Sequence, residues 1–331
     1  MVSDTDARDR RRVTRDRAQM ILLGAITLAA VIVGLTVVVN SHFVTQNGAV
    51  SEVSPQIDEA QEFEYESRKG SRSLVLRLNH RHRNLTGEDL GEVIESNVSV
   101  YSGLIAESYA SSRGEYVDVT YNNDSSHFGS RVVQEADGNV TSDAGQGEWH
   151  VGRPSGEMRN VGWFTMNVDV DETNEQTTWI NVTNATGHWV NVSINKTTAG
   201  TGVNLGVTSN VSHAGNASTL CDPSRERVLL DVFEGSTFTG DCEFNGTRSI
   251  QPPYRVDVSG GKHLVAKYEL VFNDTIDSTY YRPCTATGPV PSSDQPCRAP
   301  AVWTANVTTE FGGSQLSYAN EYNITVYREA R

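Results

Sequence analysis

The sequence is poor in several residue types and motifs on which chemistry or recognition often depends. Only 4 of the 331 residues are cysteine, and lysine is scarce among the 27 basic residues. There is no C-x-x-C pair, so a zinc site of the finger type is not expected. The phosphate-binding loops, the G-x-S-x-G turn of hydrolases and the H-E-x-x-H motif of zinc proteases are also missing. The sequence therefore predicts no catalytic residue, no metal and no cofactor.

Acidic residues outnumber basic ones, and the formal net charge at pH 7 is −14. A negative field of this size repels phosphate backbones, so we expect no nucleic-acid partner. Acid-rich, lysine-poor surfaces are also typical of proteins that work in concentrated salt, where ions screen self-repulsion. The composition is therefore that expected of a halophilic protein.

Residues 20–39 carry no charge, and six arginines precede them. Twenty helical residues span about 30 Å, the thickness of the hydrocarbon core of a bilayer. The positive-inside rule then keeps the N-terminus cytoplasmic and exports the rest. A cleaved secretory signal is the alternative, but its apolar region is shorter and ends in a small-residue site, which Asn40–Phe43 lacks. We expect a single-pass protein of the cell membrane, with the lipid bilayer as partner of residues 20–39.

The exported part is rich in the glycosylation pattern Asn-x-Ser/Thr, here called a sequon. A single sequon is weak evidence, but fourteen follow the apolar segment and none precedes it. This distribution indicates a glycosylated exterior, although asparagine and threonine are also common in strands and turns. The sequon asparagines are Asn84, Asn97, Asn123, Asn139, Asn181, Asn184, Asn191, Asn195, Asn210, Asn216, Asn245, Asn273, Asn306 and Asn323.

All four cysteines lie in the predicted exported part: Cys221, Cys242, Cys284 and Cys297. An even number of cysteines in an oxidising compartment indicates disulfides, for which three connectivities exist. We expect sequence neighbours to pair, Cys221 with Cys242 and Cys284 with Cys297. Loop-entropy estimates give each bond about 3 kcal/mol of stabilisation.

Helical spacing of apolar residues predicts two helices after the span. The first covers residues 57–83. The second is indicated more strongly, because Thr86 and Asp89 suit its N-cap and first turn, and Gly114 suits its C-cap. Its apolar face requires a partner, and we expect a sheet of the same domain.

From Tyr116 the apolar period changes to two, which is typical of strands. The predicted strands cover 116–121, 163–170, 178–183, 188–194, 227–233, 253–259, 263–272, 302–310 and 321–328. Gly260 and Gly261 suggest a hairpin between two of them. The expected fold class is α+β: one N-terminal transmembrane helix, an amphipathic helix, then a mainly antiparallel β-sandwich-like extracellular domain. The expected divisions are a cytoplasmic basic leader (1–18), the anchor (19–41), a stalk and helical region (42–114) and the β-rich domain (115–331).

Three weaker patterns are candidate binding sites. His80 and His82 are potential metal ligands, although a solvated helix end is the more common arrangement. Asn167, Asp169 and Asp171 fall on one face of a predicted strand and are potential Ca²⁺ ligands, although a solvent-facing acidic row is more common. The five tryptophans are candidates for a sugar-binding platform, although packing in the core is the more common role of tryptophan. They are Trp149, Trp163, Trp179, Trp189 and Trp303.

The segment Arg15–Gly24 resembles the start of haloarchaeal type IV pilin-like surface proteins. In that group a membrane peptidase removes a basic leader just before Gln, which implies cleavage here between Ala18 and Gln19. The later plan is also similar to a haloarchaeal family of uncharacterised function, with the segment Asn79–His82 before the amphipathic helix. Bacterial pilins carry a Glu five residues into the mature chain, where this chain has Leu23, so bacterial-type subunit docking is not implied.

Three functions follow as hypotheses. The first is a membrane-anchored archaeal cell-surface glycoprotein, pilin-like at its N-terminus, with a structural or interaction role and pilin-like or other surface-protein partners. The second is a tethered binding module for polysaccharide or a partner protein, for which two or more tryptophans exposed on one face would be evidence. The third is an anchored extracellular hydrolase, for which the sequence offers no set of catalytic groups. We expect the protein not to be an enzyme.

Overall fold

A computed structural model describes residues 55–151, 159–197, 204–212, 214–221, 226–238, 242–276, 281–284, 295–314 and 316–327. At residues 55–56 and 214–221 it describes the backbone alone. The predicted leader and apolar span lie outside these residues. Within the described ranges, no helix is both long enough and apolar enough to cross a membrane.

Among the described residues, two helices of equal length precede the sheets, α1 (Pro55–Arg81) and α2 (Gly87–Arg113). Both predicted helices are confirmed, and α1 begins and ends two residues earlier than predicted. The side chain of Thr86 accepts a hydrogen bond from the backbone of Asp89, whose carboxylate bonds back to the Thr86 backbone. This capping box satisfies donors that the first helical turn leaves free. Gly114 ends α2 in the left-handed conformation at φ 71°.

In the described part of the chain, thirteen strands follow, and they form two antiparallel sheets. They are β1 (Tyr116–Asn139), β2 (Trp149–Val151), β3 (Val161–Asp169), β4 (Thr178–Asn184), β5 (Trp189–Thr197), β6 (Asn204–Val211), β7 (Ala214–Cys221), β8 (Arg227–Asp231), β9 (Ser236–Thr237), β10 (Tyr254–Ser259), β11 (Val265–Phe272), β12 (Cys297–Gly312) and β13 (Ser317–Thr325). The seven-stranded sheet, sheet A, has the order β13-β12-β1-β11-β3-β8-β9. The six-stranded sheet, sheet B, has the order β2-β10-β4-β5-β6-β7. The predicted α+β class with mostly antiparallel strands is confirmed.

Sheet A forms the middle layer, and its central strands contribute buried residues on both faces, whereas the edge strand β13 is mostly exposed. Leu270 and Val271 are neighbours in β11, yet they belong to two different apolar clusters because successive strand residues point to opposite faces. One cluster lies between sheets A and B, and includes Phe164 of β3 and Ile180 of β4. The other lies between sheet A and the two helices, and includes Phe63 of α1. Each such buried side chain stabilises the fold by about 1.5–3 kcal/mol.

The partner predicted for α2 is confirmed, because its apolar face covers β1 and β12. Leu90, Ile94 and Val98 are fully buried in the same cluster as strand residues of sheet A. A polar contact fixes the helix on the sheet, since the Ser102 hydroxyl donates to Asp118 (2.7 Å) and accepts from the backbone N–H of Val119 (2.8 Å). The helical layer is therefore part of the same folded unit as the sandwich.

The predicted hairpin at Gly260 and Gly261 is wrong. Strand β10 before the glycines pairs with β2 and β4 of sheet B, whereas β11 after them pairs with β1 and β3 of sheet A. The glycines turn the chain from one sheet into the other. Gly260 has φ 70°, and a Cβ on Gly261 would lie 1.9 Å from a backbone oxygen of Val140, so the corner requires both glycines.

Four of the described strands, and three quarters of another, were missed in the sequence. The missed strands are β2, β6, β7 and β9, and β1 continues to Asn139 rather than ending near Tyr121. The register of β1 with β12 shifts between Asn122 and His127, which is a β-bulge. Bulges interrupt the period of two and bend a strand, so the alternation on which the prediction relied stops there.

Candidate functional site

The outer face of sheet B is the most distinctive exposed surface of the described residues. In β4, Ile180 and Val182 are fully buried and point to sheet A, so Trp179, Asn181 and Thr183 point outward. The neighbouring strand β5 has the same alternation. Among the residues with described side chains, this surface is polar except for two tryptophans.

One register position of this face carries a polar residue on each of five neighbouring strands. This polar row consists, in order across the sheet, of His150, Asp257, Asn181, Asn191 and Asn210. At its first end, both His150 and Arg255 bond to the carboxylate of Asp257. In its middle, Nδ2 of Asn191 donates to Oδ1 of Asn181 at 2.6 Å. The row is therefore hydrogen-bonded between β2 and β10 and between β4 and β5, whereas Oδ1 of Asn191 and Oδ1 of Asn210 are buried and accept no hydrogen bond from the described residues.

Two tryptophans flank the polar row on opposite sides. Trp179 and Trp189 are 38% and 42% exposed. Trp189 pairs with Thr183 across the strands, so strand geometry places it about 14 Å from Trp179. Trp149 and Trp303 are buried as core packing predicts, and Trp163 is partly buried against the helical cluster. Two of the five tryptophans are therefore exposed together on one face, the feature expected of a binding module.

The segment Asn79–His82 at the end of α1 is partly solvated, because Arg81 is exposed and His82 is half-buried, whereas Asn79 and His80 make internal contacts. Nδ1 of His80 lies 2.8 Å from Glu269, and the His80 ring packs against Trp163 and Tyr327. Arg131, 2% exposed, pairs with the same glutamate and donates to the last carbonyls of α1. Those carbonyls have no partner within the helix and carry partial negative charge, which a cation stabilises.

Glu269 is the acid of this internal cluster. Burial alone would raise its pKa, but the hydrogen bond to His80 and the positive charge of Arg131 outweigh burial and hold the pKa below its ordinary range. The ionised form of the glutamate is therefore favoured, and it lies between two side chains that join α1 to sheet A. This arrangement stabilises the docking of the helix.

The acidic residues proposed as calcium ligands are held by internal contacts. Arg227 lies 3.5 Å from Asn167 and 3.3 Å from Asp169, so a guanidinium occupies the position that a cation would take. Asp171 lies in the turn after β3, where its backbone oxygen accepts from Lys196. In the described part of the chain, no group of three or more metal-binding side chains comes together.

The sequons divide by accessibility. Four sequon asparagines have exposed side chains: Asn84, Asn97, Asn139 and Asn323. Asn184 and Asn306 are buried, at 3% and 5% exposure, and use their amide nitrogens internally. Nδ2 of Asn184 donates to the backbone of Gln251 (3.1 Å), and Nδ2 of Asn306 donates to Glu321 (2.9 Å) and Asn323 (3.1 Å). The partly buried ones are Asn123, Asn181, Asn191, Asn195, Asn210, Asn245 and Asn273, and the side chain of Asn216 lies outside the description.

One predicted cysteine pair has bonding geometry. The sulfur atoms of Cys284 and Cys297 lie 2.08 Å apart, with their Cα atoms 5.0 Å apart. Cys242 is buried, whereas the side chain of Cys221 lies outside the described residues. The pairing of Cys221 with Cys242 stays a prediction.

A cavity of about 230 Å³ lies beside α1, and its lining includes Trp163, Phe238, Asp231 and Glu234. Its two carboxylates have structural partners. Oδ1 of Asp231 accepts from the backbone N–H of Glu234 at 2.9 Å, and Glu234 forms an ion pair with Arg248. Both carboxylates of the cavity therefore form hydrogen bonds or ion pairs with neighbouring protein groups, and these contacts stabilise the turn after β8.

The chain matches no protein-family model, and it matches neither a curated protein nor a solved structure. The resemblance of Arg15–Gly24 to haloarchaeal pilin-like proteins, with cleavage between Ala18 and Gln19, lies outside the described residues and stays a prediction.

Proposed function

We propose that this chain is a membrane-anchored archaeal cell-surface glycoprotein, pilin-like at its N-terminus, with a structural or interaction role. Residues 20–39 would hold it in the bilayer, and the α+β unit would stand outside the cell. Its partners would be other surface proteins. This role would require no enzymatic step.

The observation that carries this proposal is the exposure of sequon asparagines on several separate elements. Asn84 lies between the two helices, Asn97 on α2, Asn139 at the end of β1 and Asn323 on β13. A glycan at each of these positions would extend into solvent and displace no core residue, although at Asn97 it would replace the exposed hydrogen bond from Nδ2 to the backbone oxygen of Val93 (2.8 Å). The bonding distance between Cys284 and Cys297 gives further support, because disulfides persist in oxidising compartments.

Glycopeptide mapping of protein from its native membrane tests the proposal. Saccharide is expected at one or more of the four exposed asparagines and not at Asn184 or Asn306. Replacement of an exposed asparagine that carries saccharide by Gln should remove one saccharide mass, whereas Asn306→Gln should remove none. Bare asparagines at all fourteen sequons would overturn the proposal.

A second candidate function is a tethered module that binds polysaccharide. It is favoured by the joint exposure of Trp179 and Trp189 on the outer face of sheet B, because sugars stack their C–H faces on aromatic rings. Affinity electrophoresis in soluble polysaccharides tests it. Trp179→Ala should abolish retardation, and Phe238→Ala, which changes an exposed aromatic residue elsewhere, should not. Equal mobility with and without polysaccharide would exclude this function.

A further inference from the structure

Strands β4 and β5 carry the same five-residue pattern, Trp-x-Asn-x-Thr/Ser. It covers residues 179–183 in β4 and 189–193 in β5. Each of the two exposed tryptophans therefore lies two residues before a sequon asparagine of its own strand. Residues two apart in a strand point to the same face with Cα atoms about 6.6 Å apart, so each indole stands beside the amide that follows it.

The pairing register gives the two patterns a local two-fold arrangement. Asn181 lies opposite Asn191, while Trp179 lies opposite Ser193 and Trp189 lies opposite Thr183. The amides meet at the centre, and the indoles flank them on opposite sides. Directly opposed strand residues have Cα atoms about 4.5–5.5 Å apart, which is less than the width of two attached sugars side by side.

The two amides are not equivalent. Nδ2 of Asn191 donates to Asn181, Oδ1 of Asn191 is buried, and Asn210 stands on its other side. Asn191 is thus enclosed between two amide side chains. Asn181 accepts with its oxygen, and among the described residues its Nδ2 makes no hydrogen bond. The nitrogen that would be modified is therefore free at Asn181 and engaged at Asn191.

We propose that the β4–β5 pair is a modification site at which Asn181 carries an N-linked saccharide whose first sugar packs on Trp179, and that this excludes a saccharide at Asn191. The inference rests on the proposed glycoprotein function and names one position and its packing partner. The exposed indole then has an intramolecular partner, which explains a large apolar ring on a polar face.

The modification is a group transfer from a lipid-linked saccharide phosphate, the co-reactant that the proposal requires. A bond forms between Nδ2 of Asn181 and the anomeric carbon of the sugar. The bond between that carbon and the donor's phosphate oxygen breaks, and one amide proton leaves with the phosphate. The remaining amide proton stays on Nδ2.

Glycopeptide mapping of the full chain from its native membrane tests the position, with electron-transfer fragmentation to separate Asn181 from Asn191. We expect at least tenfold higher occupancy at Asn181 than at Asn191, and no chain modified at both. A doubly modified chain, or saccharide at Asn191 with Asn181 bare, would overturn the inference. Bare Asn181 and Asn191 beside modified Asn97 would overturn it and leave the proposed function standing, whereas a wholly bare chain would overturn both.

A double-mutant cycle tests the packing on Trp179. Asn181→Gln should lower Tm by about 2–4 °C in the parent chain and leave Tm unchanged in a Trp179→Ala background, because the contact is then already absent. The matched control is Asn97→Gln, which should shift Tm equally in both backgrounds. Equal shifts for Asn181→Gln in both backgrounds would overturn the packing claim.

Discussion

Replacement of Asn79 by alanine should destabilise the protein more than any change to an exposed asparagine. Asn79 lies near the end of α1 and is fully buried. Its amide donates to the backbone oxygen of Val302 at 2.9 Å and accepts from the backbone N–H of Val302 at 3.0 Å. The pairing of β13 with β12 extends only to Thr304, so the side chain takes the place of a neighbouring strand where the ladder has ended.

The expected cost follows from the groups that alanine leaves behind. The change removes two hydrogen bonds, each worth about 1 kcal/mol net, and leaves a buried backbone N–H and C=O without partners. Each orphaned group costs about 1–3 kcal/mol, and the costs overlap with the lost bonds, so we expect about 3 kcal/mol in total. For a domain of this size the corresponding fall in Tm is about 6–10 °C.

Denaturant unfolding followed by circular dichroism measures the effect. The matched control is Asn320→Ala, which removes an exposed asparagine from β13 and should change the free energy of unfolding by less than about 0.5 kcal/mol. A loss below about 1 kcal/mol for Asn79→Ala would refute the claim that the amide replaces a strand.

Three further changes test other parts of the fold. The pKa of Glu115 is raised from 4.5 to about 7, mainly by burial and also by a hydrogen bond with Glu59 and the negative charge of Glu59. Between about pH 4.5 and 7 the folded state therefore holds a proton that the unfolded state releases, so the free energy of unfolding should fall as pH rises through this range. In Glu115→Gln the denaturation midpoint should lose this pH dependence. At pH 8 the variant should be more stable than the parent by about 1–3 kcal/mol. Gly129→Ala should destabilise the protein by more than about 2 kcal/mol in thermal unfolding, because the added Cβ would lie 2.0 Å from the backbone oxygen of Phe272 in β11. The control Gly103→Ala, on an open surface of α2, should stabilise the protein by about 1 kcal/mol. Replacement of both Cys284 and Cys297 by serine should lower the free energy of unfolding by about 2–4 kcal/mol, and an unchanged midpoint would show that the bond contributes nothing.

Local features could be predicted from the sequence because their causes lie within a few residues. The start and end of α2 depend on Thr86, Asp89 and Gly114, which lie at the two caps and in the first turn of the helix. Most strands were predicted because alternation is a property of each strand alone. The same reasoning failed at Gly260 and Gly261, since two glycines predict a turn but do not say which sheet the next strand joins.

Contacts between distant residues could not be predicted. Asn79 bonds to a backbone 223 residues away, and no local pattern distinguishes it from an exposed asparagine at a helix end. The polar row depends on the register of five strands, and a slip of one residue in β5 would place Trp189 on the buried face. The pattern Trp-x-Asn-x-Thr/Ser was readable in the sequence, but its two-fold pairing required the structure.

The most direct test of the account is the intact mass of the native protein together with the cell fraction that contains it. The account predicts a membrane-bound chain that begins at Gln19, carries added saccharide mass and has no free thiol. A soluble cytoplasmic chain with an intact leader, four free thiols and no added mass would contradict it.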